Sequence, residues 1–260
     1  MDKKELNSLA LSESCLQNQI HNRTELLLGK NGLDRLAQSH VMVIGCGAVG
    51  GMAIEALARS GVGCITVVDC DVFSPSNLNR QILATTDVMN QSKTHVATQR
   101  IHQIDSTITV IEKNILVSGD NVETLFNEPV DFVIDAIDSL NAKTTVIAYL
   151  VTHHIPFISS MGAALKTDIT RIQITQMKKT IQCPLASFLR KRLRRRGIDM
   201  SFRVVYSDEC VSDKLHLGEE DSQNNRRTMG SMMTVTGIFG LMCAHYVIMK
   251  LIQTESKTDE

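Results

Sequence analysis

Seven positions between residues 45 and 138 are spaced to act on a phosphorylated ligand: Gly45, Gly47, Gly50, Asp69, Arg80, Lys93 and Asp138. The glycines stand in G-x-G-x-x-G spacing, and Asp69 follows about 20 residues beyond them. Glycines let backbone amides approach phosphate oxygens, a helix N-terminus favours the negative charge, and the acid accepts hydrogen bonds from a ribose. A dinucleotide redox coenzyme would need no more than that. Nucleoside triphosphate chemistry also needs cations aimed at phosphates and an acid for a metal, which Arg80, Lys93 and Asp138 supply. Mg²⁺ takes one or two carboxylates plus phosphate oxygens, and cationic side chains stabilise charge moving onto phosphate as a carboxylate attacks it.

The elements that must position these residues follow from the apolar pattern. Val41 to Ile44 is a short β-branched run, and Met52 to Arg59 is helix-forming. Ile65 to Val68 is a second apolar run ending in Asp69. Strand, glycine turn, helix and strand make a Rossmann-like unit over 40–71. The loop VFSPSNLNRQI, with Asn77, Arg80 and Gln81, then lies at the carboxyl edge of a parallel sheet, where ligands bind. Ser92 to Ile104 reads as a helix with Lys93 in its first turn, poorly placed for the helix dipole unless an anion sits there; a solvated surface lysine is the commoner case. Ile108 to Glu112, Asp131 to Ala136 and Pro156 to Ser160 read as strands, and 121–126 and 141–153 as helices. This alternation implies a mostly parallel α/β sheet covered by helices, with a C-terminal extension of strands and an apolar helix.

With 260 residues, 43% hydrophobic and 21% charged, the chain has the composition of a soluble globular protein. We divide it into an extension over 1–20, one domain over 21–252 and a polar tail over 253–260. The segment MDKKELNSLA lacks an apolar h-region, so no secretory signal is expected. Seven cysteines without a C-x-x-C pair point to reduced thiols in the cytoplasm and away from structural zinc. The uncharged stretch 229–249 is long enough to cross a bilayer. Its glycines, hydroxyls and His245 favour a buried or subunit-interface helix, with membrane association left open.

The net charge is −1, yet 178–196 carries eight Lys/Arg and no acid. Leu185, Phe188, Leu189 and Leu193 form an apolar face on a basic helix over about 184–196. Arg190, Lys191, Arg194 and Arg195 belong to its cationic surface. A charged helix face is usually only solvated, but this local excess favours a polyphosphate partner. Phe202 to Ser207 reads as a strand, and 211–228 as a mobile polar loop.

These motifs resemble the ubiquitin-activating-enzyme-like adenylyltransferases, through R-x-E-L-L-L-G at Arg23, G-C-G-A-V-G, V-V-D-C-D, N-L-N-R-Q, S-K-T and D-A-I-D-S. Within that family, A-L-A-R-S-G-V-G, Q-R-I-H-Q-I, S-S-M-G-A-A-L-K-T-D, K-T-I-Q-C-P-L-A and V-V-Y-S-D-E are most similar to the tRNA threonylcarbamoyladenosine dehydratases, over roughly residues 20–252. The resemblance implies that Gly45, Gly47 and Gly50 cradle ATP and that Asp69 binds its ribose. Asn77, Arg80 and Gln81 would contact the nucleotide, Lys93 the α-phosphate, and Asp138 Mg²⁺. Arg23 would reach across a homodimer. The implied substrate is a tRNA bearing threonylcarbamoyladenosine, with a sulfur-handling protein as a further partner and no DNA. Ile20 and Asn90 depart from the family pattern, which carries an arginine and a glycine there. Adenylation of a sulfur-carrier protein's C-terminus is the main alternative. A non-catalytic nucleotide-binding adaptor and an NAD-dependent oxidoreductase follow. Cys183 and Cys210 lie in no recognisable catalytic-cysteine loop.

Overall fold

A computed structural model describes residues 19–210, 220–221, 226–227 and 229–253. The extension over 1–20, apart from its last two residues, and most of the tail lie outside the described residues. Helix α1 (Asn22–Gln38) leads into β1 (His40–Ile44), α2 (Ala48–Ser60), β2 (Cys64–Asp69), α3 (Lys93–Ile104) and β3 (Thr109–Asn114). Then follow β4 (Phe132–Asp135), α4 (Leu140–Thr152), β5 (Phe157–Ser160), β6 (Ile172–Gln176), α5 (Pro184–Arg195), β7 (Arg203–Ser207) and α6 (Met233–Ile252). The seven strands form one sheet in the order β3-β2-β1-β4-β5-β7-β6. Every pairing is parallel except β6 with β7. This is the Rossmann-like architecture that the strand–helix alternation implies.

The period-two alternation of a strand sends neighbouring side chains to opposite faces. Val41 and Val43 of β1 enter a core shared with α2, α3 and α6. Met42 and Ile44 enter the opposite core, shared with α4 and α5. Helix α6 is long and apolar enough to cross a membrane, but Val235, Phe239, Cys243 and Val247 bury one side of it in the first core. Its close fit to α2 depends on Gly240, where a Cβ would lie 2.3 Å from the Val49 carbonyl oxygen. That contact explains why an otherwise membrane-like stretch contains small residues.

Two features differ from the sequence reading. β6 is an additional edge strand, and within 211–228 two short strands, β8 (Glu220–Asp221) and β9 (Arg226–Arg227), pair antiparallel. The remainder of that loop lies outside the described residues. In α1 the helix kinks at Gly29, at φ +74°, whereas Gly32 is buried within it.

Candidate functional site

All parallel strands end on one edge of the sheet, and the loops there carry the residues singled out above. At the end of β1 the chain turns through Gly45, whose φ is +99°, a region that disfavours side chains. A Cβ on Gly45 would also lie 2.8 Å from the Ala136 carbonyl oxygen, and one on Gly50 would overlap the Gly45 carbonyl oxygen at 1.6 Å. These two glycines let the turn close. Gly47 differs: the nearest atom to a Cβ there is Gln81 Nε2, at 3.9 Å. Gly47 therefore faces open space, where a ligand's phosphates can approach the N-terminus of α2.

Asp69 ends β2 and secures the turn. Its Oδ2 accepts a hydrogen bond from Cys46 N at 2.7 Å, and its Oδ1 accepts from Cys70 N and Asp71 N at 2.8 and 2.9 Å. A bridge between Val72 and Ser92 brings the start of α3 to this strand end. Lys93 Nζ then donates to Asp71 Oδ2 at 2.9 Å. The lysine is 7% exposed, so its charge is held inside the wall of the cleft by an exposed acid. Asp69, Cys70 and Asp71 bring possible ligand atoms within 4.8 Å of one another. Both Asp69 oxygens accept from backbone amides and Asp71 Oδ2 accepts from Lys93, while among the described residues Asp71 Oδ1 meets only Cys70 Sγ at 3.8 Å.

The loop after β2 is ordered by its own hydrogen bonds. Asn77 is buried and its Oδ1 accepts from Ser74 N at 3.1 Å. Arg80 Nη1 donates to Ser76 O at 2.6 Å and to Asn79 Oδ1 at 3.0 Å. Gln81 is buried beside Gly47, and its Oε1 lacks a hydrogen-bond partner among the described residues. A buried polar atom left unpaired costs free energy, so this amide fits a hydrogen bond to a nucleotide seated at the turn. Asn90 adopts φ +64°. Asn tolerates the left-handed region better than other side chains, so it can stand where the family pattern has glycine.

Asp138 is exposed at the end of β4 and has no hydrogen bond or ion pair among the described residues. Its carboxylate is therefore available to a hard cation. Beneath it lies a feature the sequence reading missed. Lys143 and Asp135, each 0% exposed, pair at 2.7 Å, and Ser159 Oγ donates to the same Asp135 oxygen at 2.6 Å. Cys243 of α6 lies near this pair. Burial pushes its thiol up to about 12, with the Asp135 charge adding to the rise and Lys143 opposing it. Cys46 is likewise pushed well up by burial, with Asp69 adding to it. Neither is a thiolate at neutral pH. Cys183 is buried and Cys210 exposed.

The loops after β5 and β7 are tied together on the far side of Asp138. Glu209 accepts from Thr167 N and Asp168 N, the latter at 3.0 Å, and Lys166 Nζ donates to the Glu209 carbonyl. Burial works against the Glu209 charge, but the Asp168 and Thr167 amides outweigh it and hold the carboxyl low. On α5, Arg190 turns inward and donates to Thr180 O at 2.8 Å. Lys191, Arg194 and Arg195 are exposed. Arg23 is exposed at the head of α1, next to Leu26 and Leu27 at 81% and 82% exposure.

The model of the family described as the ThiF family matches residues 21–260. The chain belongs to the ThiF family. It is 37% identical to the tRNA threonylcarbamoyladenosine dehydratase of Bacillus subtilis (strain 168), over 89% of this chain and 94% of that one. It is 35% identical to the Escherichia coli (strain K12) enzyme of the same name, over 88% of this chain and 92% of that one. Among solved structures, E. coli tRNA N6-threonylcarbamoyladenosine dehydratase, TcdA, in complex with ATP matches at a TM-score of 0.85 and 32% identity, covering 96% of this chain and 100% of that one. In this ThiF-family chain the sheet edge gathers the glycine turn, Asp69, Gln81 and Lys93 on the β1–β2 side. Asp138 follows β4 next to them, while the cations of α5 and Arg23 lie on separate helices.

Proposed function

We propose that the chain is an ATP-dependent tRNA threonylcarbamoyladenosine dehydratase. The observation that carries this is Lys93, a buried ammonium held beside a glycine turn whose middle position is open. Together with the orphaned Gln81 oxygen, it suits a nucleotide whose phosphates react. The threonylcarbamoyl carboxylate attacks the α-phosphorus of ATP, and the bond to pyrophosphate breaks. The ureido group of the same nucleoside then closes on the acyl carbon and expels AMP. No protein nucleophile is needed, because the second step is intramolecular.

The glycine turn receives the phosphates, and Asp69 faces the ribose while bracing that turn. Asn77 shapes the adjoining loop, which presents Arg80 and Gln81. Arg80, on solvent-exposed contacts within its own loop, swings to the leaving phosphates, and Lys93 exchanges Asp71 for the α-phosphate. Asp138 would hold Mg²⁺, which supplies charge neutralisation to the phosphate oxygens. Residues 21–252 act as one domain in the cytoplasm, with α6 as a core helix. Exposed Leu26 and Leu27 form the face on which a second copy packs, bringing Arg23 to its partner's ATP site. Lys191, Arg194 and Arg195 meet the tRNA backbone. A sulfur-handling protein is a further partner.

The test is release of AMP and pyrophosphate. Threonylcarbamoylated tRNA stimulates it in the parent, and Lys93→Ala abolishes it. Stimulation by a carrier protein with a Gly-Gly tail, and none by the tRNA, would replace this reading with sulfur-carrier adenylation.

A further inference from the structure

The geometry points to Asp135 as a positioning residue whose Oδ1 holds the first free amide of the loop carrying Asp138, with Lys143 and Ser159 orienting its carboxylate through Oδ2; this rests on the role proposed for Asp138 above. Asp135 is the last residue of β4. Its Oδ2 is fixed from two directions, by Lys143 Nζ at 2.7 Å and Ser159 Oγ at 2.6 Å. That leaves Oδ1 aimed along the chain, where it accepts from Ile137 N at 3.1 Å. Ala136 N still bonds to Ile44 O at 2.9 Å, so Ile137 is the first amide beyond the sheet. Lys143 sits in the opening turn of α4, where its own N–H donates to Ser139 O at 2.9 Å. Asp135, oriented by its buried pair with Lys143, thus clamps the entry to 136–139, and Asp138 projects from that loop.

Stability alone does not call for such a pair, because a buried ion pair can often be replaced by apolar residues at no loss. Its specific product is a fixed backbone beside a reacting group, where a displacement of about 1 Å can cost roughly a hundredfold in rate. The glycine turn is spared, since Ala136 is held by the sheet rather than by Asp135.

Two charge-free double variants of the full chain separate these effects. Asp135→Asn with Lys143→Met keeps an acceptor for Ile137 N. Asp135→Val with Lys143→Met removes it while suiting a central strand. In AMP release with threonylcarbamoylated tRNA, the first retains kcat within about threefold, whereas the second keeps KM for ATP within about threefold and loses at least about thirtyfold in kcat. Parental kcat in the folded Val variant, or an equal loss in the folded Asn variant, would overturn the proposal. Should the Val variant not fold, Ser159→Ala takes its place: a kcat loss of about fivefold at unchanged KM supports the clamp, and no change overturns it. Asp138→Asn is measured alongside. Activity lost there but kept in the Val variant refutes the clamp alone, while full activity in Asp138→Asn removes the role of Asp138 and the clamp with it.

Discussion

Three glycines of one turn do different work, so their alanine variants should fail differently. Gly50→Ala would force a Cβ into the Gly45 carbonyl oxygen, at 1.6 Å. It should lower the melting temperature, and the overlap sets the cost at the upper end of core overpacking, about 3 kcal/mol. Gly47 has φ −80° and open space beside it. Gly47→Ala should keep the parental melting temperature and weaken ATP binding roughly tenfold by filling the phosphate approach. Calorimetry with ATP and thermal unfolding, run on both, separate the two effects. Loss of the Lys93 ammonium should lower kcat by about a hundredfold or more, and Asp71 should matter less because ATP displaces it.

The helices test the account through their charges. Glu55 of α2 accepts from Arg100 Nε of α3 at 2.8 Å and from Arg59 Nε at 2.7 Å. Burial opposes its charge, but the Arg100 and then the Arg59 hydrogen bonds prevail and hold the carboxyl low. Asp105 is also lowered: burial opposes its charge, while Thr107 and His21 outweigh it. A depressed carboxylate contributes stability that is complete above its unfolded pKa, about 4, and is lost as pH falls through the folded value. Melting temperature should therefore drop as the pH goes from 5 to about 3, and Glu55→Gln should show a shallower drop from a lower start. Helix α5 makes a second contrast. Replacing Lys191, Arg194 and Arg195 with alanine should reduce tRNA affinity and flatten its salt dependence by a slope of about 2 to 3 at unchanged stability. Arg190→Ala should instead cost about 1–2 kcal/mol of stability, because Arg190 anchors Thr180. Equal effects of the two changes on tRNA binding would contradict this division.

Across the whole molecule, the parallel strands and their helices were legible because buried β-branched runs alternate with amphipathic ones and the glycine spacing fixes the first crossover. β6 was not, since IQITQ at a half-covered edge has only a brief alternation. The positions of Lys93, Asp69 and the glycines on one sheet edge follow from topology alone. Side-chain direction does not: Asn77 and Arg80 bond within their own loop, and Arg190 turns inward while its neighbours face out. A lysine eight residues beyond an acid likewise reads as a surface charge, so the Asp135–Lys143 pair emerges only when β4 and α4 are packed together. The fold also predicts preference for ATP over NAD, because Arg80, Lys93 and Asp138 have no task in hydride transfer.

The central claim is that the site spends a triphosphate on a carboxylate, and isotope tracing tests it directly. With ¹⁸O in both carboxylate oxygens of the threonylcarbamoyl group, attack on the α-phosphorus followed by ring closure must leave one labelled oxygen in the AMP released. Mass spectrometry should find one ¹⁸O per AMP and none in pyrophosphate. Unlabelled AMP accompanying ring closure would contradict the account.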